Sequence, residues 1–116
     1  MIEDKIKVKL NEGKVIYEAR LDIGAIAETQ YYFKQRNDYM KIMEIIDGVF
    51  KDDIMIIKEL LLQSILRCHN QLSREDILDN LKLKELINIR EYVSELILIS
   101  FPEPDDKKKS TISNRG

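Results

Sequence analysis

The only cysteine and the only histidine of this sequence, Cys68 and His69, are the residues whose side chains could act in nucleophilic catalysis or bind a metal. They are adjacent, and consecutive side chains of a helix point about 100° apart, so they cannot form a nucleophile and base pair. A metal ion would need carboxylates for every remaining ligand. We therefore interpret Cys68 as a small buried residue and His69 as a polar residue near a helix end. We expect no enzymatic activity, no metal and no cofactor.

Charge and glycine spacing give no indication of a nucleotide or nucleic-acid site. The 19 basic and 21 acidic residues leave a net charge of -2, so no overall positive field attracts phosphates. The four glycines are too far apart to form a phosphate-binding loop. Lys5, Lys7 and Lys9 form a basic row, which is typical of any solvated strand face. We expect neither nucleic acid nor a membrane as partner, since apolar runs such as residues 96–99 are far shorter than the roughly 20 residues of a membrane span.

The chain of 116 residues is long enough for one domain with its own core. Its composition changes after Phe101: residues 102–116 contain both prolines, several charges and one aliphatic residue, Ile112. Such a segment cannot offset the entropy cost of folding. We predict a single domain over residues 1–101 and a disordered charged tail over residues 102–116. The lone cysteine is compatible with a reducing cytoplasm.

Residues 5–21 alternate between apolar and polar side chains, which predicts a β-hairpin with one buried face. The apolar residues of that face are Ile6, Val8, Leu10, Val15, Tyr17, Ala19 and Leu21. Gly13 provides the positive φ that a tight connection needs. An isolated hairpin is marginally stable in water, so this face must pack on the helices that follow.

Beyond residue 21 the apolar spacing becomes helical, with Asp22 and Ser73 placed to cap helix starts. Pro102 ends the last helix. The pattern predicts helices over about residues 23–36, 38–50, 53–69, 73–81 and 84–99. The predicted fold class is α+β, a hairpin packed on a bundle of four to five α-helices.

The third and last helices carry more apolar residues than one buried stripe requires, so either both are central in the bundle or they bind another protein. In the third helix, the residues expected to face the core are Ile54, Ile57, Leu61 and Ile65. In the last helix, they are Val93 and Ile97. The other apolar positions of the two helices then point outward. The predicted protein-binding residues are Ile56, Leu60, Leu62, Leu98 and Phe101.

Residues 7–22 (KVKLNEGKVIYEARLD), which pass directly into residues 23–28 (IGAIAE), resemble the opening of phage tail assembly chaperones of the gene-transfer-agent and long-tailed phage type. In that family a small hairpin leads into a short Ala-rich helix containing Glu. Residues 65–68 (ILRC) and 72–77 (LSREDI) are similar to the family's middle helix and the helix start after it. The resemblance spans residues 5 to 100.

The resemblance implies a non-enzymatic partner of the tape measure protein, the long apolar helical protein that sets tail length. Such a chaperone binds and solubilises the tape measure protein until tail-tube subunits polymerise around it. It therefore acts in the cytoplasm of the bacterial host, is absent from the mature virion and is expected to form a homo-oligomer. A long helix without its tube exposes apolar stripes that aggregate, and surplus apolar helix surface can cover them.

Two alternatives remain open at this stage. A structural minor tail component would need more β-structure and an ordered C-terminus. A small helical regulatory or protein-binding module is the second alternative. A regulator that binds DNA would need a basic recognition helix.

The run from Lys107 to Lys109 suggests a further expectation. Three lysine codons can form an adenine run on which ribosomes slip, and proteins of the resembled family are often made in two lengths by such a frameshift. The longer form would carry a C-terminal extension that binds the tail tube protein, joined through the tail as a linker. An ordinary solubilising tail is the alternative.

Overall fold

The computed structural model describes residues 4–102, which form an α+β fold with an N-terminal hairpin and five α-helices. Strand β1 (Lys5–Leu10) pairs antiparallel with β2 (Val15–Arg20). The helices are α1 (Ile23–Gln35), α2 (Ile42–Phe50), α3 (Ile54–Leu66), α4 (Arg74–Leu78) and α5 (Leu86–Ser100), with a 3-10 turn, Leu83–Glu85, before α5. The predicted tail lies outside the described residues apart from Pro102.

The hairpin has the predicted inward face. The cross-strand pairs on that face are Ile6 with Ala19, Val8 with Tyr17, and Leu10 with Val15. Because side chains alternate along a strand, this register turns the whole apolar set toward one side. That side packs on α3 through β2 and on α5 through β1.

Gly13 has the predicted positive φ, and two further residues of the hairpin turn share it. Asn11, Glu12 and Gly13 are all left-handed, with φ values of 55°, 58° and 82°. The Glu85 carboxylate accepts hydrogen bonds from the backbone N–H groups of Asn11 and Glu12, each at 2.9 Å. A contact distant in sequence therefore stabilises a turn that the local sequence favours only weakly.

Three helix boundaries depart from the prediction. Helix α2 begins at Ile42 instead of Asp38, because Asn37 is left-handed (φ 58°) and ends α1. The Glu44 carboxylate then accepts from the Lys41 N–H at 2.8 Å, which starts the new helix. Helices α3 and α4 each end three residues earlier than predicted, at Leu66 and Leu78.

Helix α3 is the centre of the core, because α1, α2, α4, α5 and β2 all pack against it. Ile57, Leu61 and Ile65 are buried as predicted, and so are Val93 and Ile97 of α5.

The predicted exposure of Ile56, Leu60 and Leu62 is wrong, because all three are buried. With neighbours on every side, α3 has no outward apolar stripe. Ile54, expected inside, is instead half exposed at the first turn of the helix.

One carboxylate is buried inside this apolar helix. The Glu59 side chain is fully buried and forms two hydrogen bonds with the Arg74 guanidinium, at 2.6 and 3.0 Å. Gln63 donates a third hydrogen bond at 2.8 Å. Arg74 also lies over the Tyr32 ring, 4.9 Å from its centroid. Helix α4 is short, and this pair ties its first residue to the centre of the domain.

Replacing a buried leucine or an exposed leucine by alanine, in separate variants, tests which apolar side chains lie in the core. Leu60→Ala should lower the free energy of unfolding by about 2–5 kcal/mol, because it leaves a cavity in the core. Leu98→Ala, at an exposed position, should change it by less than about 0.5 kcal/mol. Chemical denaturation of both variants measures the difference, and equal losses would contradict the packing described for α3.

Removing one partner of the buried ion pair should be costly. Arg74→Ala should destabilise the domain by roughly 3–5 kcal/mol, because it removes both guanidinium hydrogen bonds and leaves the buried Glu59 carboxylate with Lys58 Nζ, 3.7 Å away, as its remaining positive partner. Adding Glu59→Gln to the Arg74→Ala variant should recover part of the lost free energy of unfolding. Arg67→Ala, which breaks a partly exposed ion pair with Asp22, is the matched control and should cost about 1 kcal/mol or less. Thermal melts of the four proteins provide the comparison, and an Arg74→Ala cost no larger than that of Arg67→Ala would show that Glu59 does not need its partner.

Candidate protein-binding surfaces

The contacts of Cys68 and His69 indicate a structural role for both residues. His69 Nε2 accepts a hydrogen bond from the Glu18 backbone N–H at 2.9 Å, which joins the end of α3 to β2. Its ring packs against Tyr17, with centroids 5.5 Å apart. Partial burial raises the pKa of the Cys68 thiol, so its reactive thiolate form is disfavoured. Within residues 4–102, no group of three His, Cys, Asp or Glu side chains is placed to hold a metal ion.

One apolar groove lies where α1, α2 and the end of α5 meet, and we call it the terminal groove. Its volume is about 550 Å³. Its apolar lining residues are Leu21, Ile23, Ile26, Ile42, Ile99 and Phe101. Ile23 is 87% exposed, the most exposed of the large apolar side chains in the described chain. This surface is therefore apolar and open to a partner.

Asp22 forms one edge of the terminal groove and determines where α1 begins. Its Oδ1 accepts hydrogen bonds from the Ala25 N–H and from Arg67 Nε, each at 2.9 Å. The absence of a side chain at Gly24 allows Arg67 to come this close, since a Cβ there would lie 2.7 Å from its Cζ. The cap holds the first turn of α1, and with it Ile23, in a defined position beside the groove.

The charge of Asp22 is stabilised in the fold. Partial burial disfavours the charged carboxylate and tends to raise its pKa, but the hydrogen bonds from the Ala25 N–H and from Arg67 lower the pKa and outweigh the effect of burial. The positive charges of Arg67 and Arg20 add to this effect, so the pKa of Asp22 lies below its ordinary value of 3.8.

The second groove lies between the start of α3, α4 and the start of α5, and has a volume of about 230 Å³. Its lining residues are Ile54, Ile57, Lys58, Leu78, Leu81, Lys82, Leu83, Leu86 and Ile89. We call it the basic-rimmed groove, because its only charged lining residues are Lys58 and Lys82. Leu83 is 76% exposed and stands at its edge.

The five predicted binding residues do not lie together on one surface of the structure. Phe101 is half-buried and lines the terminal groove. Leu98 is 66% exposed, as predicted, but does not line either groove. Ile56, Leu60 and Leu62 lie in the core and cannot form a binding surface in the folded domain.

The sequence prediction missed Ile23 and Leu83. Ile23 has a helical phase that suits the core, but it is the first residue of α1 and projects beyond the elements that could cover it. Leu83 belongs to a 3-10 turn that the pattern placed in a loop before the last helix. Their positions at element starts are the signal that could have identified them, because helix ends extend past the core.

Comparisons with models of protein families, with characterised proteins and with solved structures find no match to the chain. Among residues 4–102, no helix is long and apolar enough to cross a membrane. The grooves and their lining residues are thus the structural basis for a functional proposal.

The charge of Asp22 predicts a pH dependence. A carboxylate whose pKa is lowered by folding stabilises the fold above its unfolded-state pKa, and this contribution is lost as the pH falls through the lower folded value. Asp22→Asn keeps an acceptor at the cap and removes the charge. It should cost about 1 kcal/mol or less at pH 7, and the difference from the parent should shrink as the pH falls below 3.8. Denaturation midpoints from pH 2.5 to 7 measure it, with exposed Asp38→Asn as control. A cost that stays constant across this range would show that the charge is not responsible.

Proposed function

We propose that this chain is a non-enzymatic phage or prophage tail assembly chaperone that binds and solubilises the tape measure protein during tail morphogenesis. The observation that carries the proposal is the open apolar terminal groove on a small domain. Contiguous apolar surface of this kind usually marks the binding site of another protein.

The residues that resemble the family lie beside this groove. Residues 7–28 comprise most of the hairpin and the first turns of α1, and they contain Leu21, Ile23 and Ile26 of the groove lining. One wall of the groove thus belongs to a segment that resembles the family, while its other walls come from α2 and the end of α5. This coincidence supports a partner-binding role for the hairpin and α1.

The shape of the groove suits an apolar helical ligand. Its lining residues come from three helices and from the short connections next to them, and most of them are apolar. An amphipathic helix places apolar residues on one side at intervals of three and four, and such a helix can fill a groove of this kind. A tape measure protein without its tube would expose many such stripes, and each chaperone would cover one part of them.

The proposal includes the cellular setting. The protein would act in the bacterial cytoplasm before the tail tube forms and would be absent from the mature virion. A frameshifted longer form would bind the tail tube protein, but Lys107 and its neighbours lie outside the described residues. A structural minor tail component and a helical protein-binding module with another ligand are the competing functions, and the experiment below separates them from a chaperone.

The test is co-expression with a tape measure protein from the genome that encodes this chain. The chain should keep that protein in the soluble fraction and co-purify with it. Ile23→Glu should weaken binding at least about tenfold, equivalent to 1.4 kcal/mol, because it places a charge in the terminal groove without disturbing the core. Leu98→Glu tests the other exposed residue predicted from the sequence.

Ile16→Glu is the matched control, because Ile16 is also an exposed isoleucine but lies on the outer face of the hairpin. It should bind as the parent does. A tape measure protein that remains soluble alone, or equal loss with Ile23→Glu and Ile16→Glu, would refute the chaperone role of this groove. Detection of the chain in purified tails would instead favour a structural tail component.

A further inference from the structure

Helix α2 has an apolar side that the domain does not cover. Met43 and Phe50 are seven residues apart, so they lie on the same side of the helix two turns from each other. They are 67% and 48% exposed. Asp47, also exposed, lies between them on the same part of the surface. We call Met43, Asp47 and Phe50 the α2 outer face.

The α2 outer face and the basic-rimmed groove cannot meet within one chain. Ile45 and Val49, on the opposite side of α2, are fully buried in the core and fix the orientation of the helix. A Cβ at Gly48 would lie 2.2 Å from Ile56 Cδ1, so α2 is also held tightly against α3. Met43 and Phe50 therefore stay turned away from the groove of their own chain.

We propose that the α2 outer face docks into the basic-rimmed groove of a second copy of this chain. This contact is independent of the terminal groove and of the tape measure protein. The groove offers apolar walls and the ammonium group of Lys82, and α2 offers two apolar side chains with a carboxylate between them. The other lysine of the groove, Lys58, already contacts the Tyr32 hydroxyl at 3.0 Å and Glu59 at 3.7 Å. Met43 and Phe50 are separated by about 10 Å along the helix axis, given a rise of about 1.5 Å per residue.

Charge complementarity identifies the second copy as the occupant. Lys82 takes part in no ion pair among residues 4–102, so it is available to a carboxylate from outside. Asp47 pairs with Lys51 at 2.8 Å, but both side chains are largely exposed. Such a surface pair is weak, and Asp47 can exchange Lys51 for Lys82 at little cost.

The contact joins two different surfaces, which determines the kind of assembly. The outer face lies on α2, whereas the groove is lined by the start of α3, the end of α4 and the segment from Leu81 to Ile89. Two copies can close a two-fold dimer in which the contact occurs twice, or copies can associate head to tail. In either case one intact groove and one intact α2 outer face are sufficient for one contact.

Sedimentation velocity of the full chain over a range of concentrations tests the proposal. The parent should form a species heavier than its 13.7 kDa monomer. The fraction of chains in this heavier species should rise with protein concentration. Leu83→Glu in the groove and Met43→Glu on α2 should each raise the dissociation constant at least about tenfold. Both positions are exposed, so circular dichroism and melting temperature should match the parent. Ile16→Glu, an equal change on the hairpin, should associate as the parent does.

Mixing the two variants is the decisive measurement. The Leu83→Glu chain keeps an intact α2 outer face and the Met43→Glu chain keeps an intact groove, so an equimolar mixture should form a complex that neither forms alone. The two introduced carboxylates repel each other, so an artificial attraction cannot produce this result. Likewise, Lys82→Glu should weaken association, and adding Asp47→Lys to the same chain should restore it.

Four results would overturn the proposal. The first is a parent that remains monomeric at all concentrations tested. The second is association that persists in both single variants or is lost equally with Ile16→Glu, which would place the interface elsewhere. The third is a mixture that stays monomeric, which would show that the α2 outer face and the basic-rimmed groove do not bind each other. Binding of a different protein to the groove of a monomeric parent would also refute self-association.

Discussion

The burial of α3 on all sides is the constraint on which the rest of this structure depends. Its thirteen residues are packed by the hairpin and by the four other helices. A domain of this size has room for only one such helix, so every other element is arranged around it and is amphipathic. The same burial explains the pairing of Glu59 with Arg74, because a carboxylate inside the core requires a counter-ion and hydrogen bonds.

Polar contacts then hold the hairpin to the C-terminal part of the domain. Glu85 satisfies two N–H groups of the hairpin turn, and Lys84 pairs with Glu12 at 3.0 Å. Farther along β1, the Lys9 N–H donates to the Tyr92 hydroxyl at 3.1 Å. These contacts join residues more than 70 positions apart in sequence. A two-stranded hairpin that would be marginal alone is thus fixed at both its apolar face and its turn.

The open apolar surfaces follow from the same arrangement. Because α3 occupies the centre, most of the large apolar side chains left in solvent belong to the ends and outer sides of the surrounding elements, such as Ile23, Met43 and Leu83, and α3 exposes only its first turn. These side chains are distributed over two grooves and one helix face, so the domain leaves separate apolar surfaces uncovered. Helix α3 itself contributes only Ile54, Ile57 and Lys58 to the wall of the basic-rimmed groove.

Local sequence determined the elements of this protein. Strict alternation set the hairpin face, and the caps at Asp22 and Ser73 placed two helix starts, because these features depend only on neighbouring residues. Tertiary structure decided which apolar residues remain exposed. Periodicity gives only the relative phase of residues on a helix, and a helix that is apolar on every side has no phase that identifies its outer face. Leu98 was therefore correctly predicted as exposed, since α5 has a polar side, whereas Leu60 was wrongly placed on the surface, since only the packing of five elements around α3 shows that it is buried.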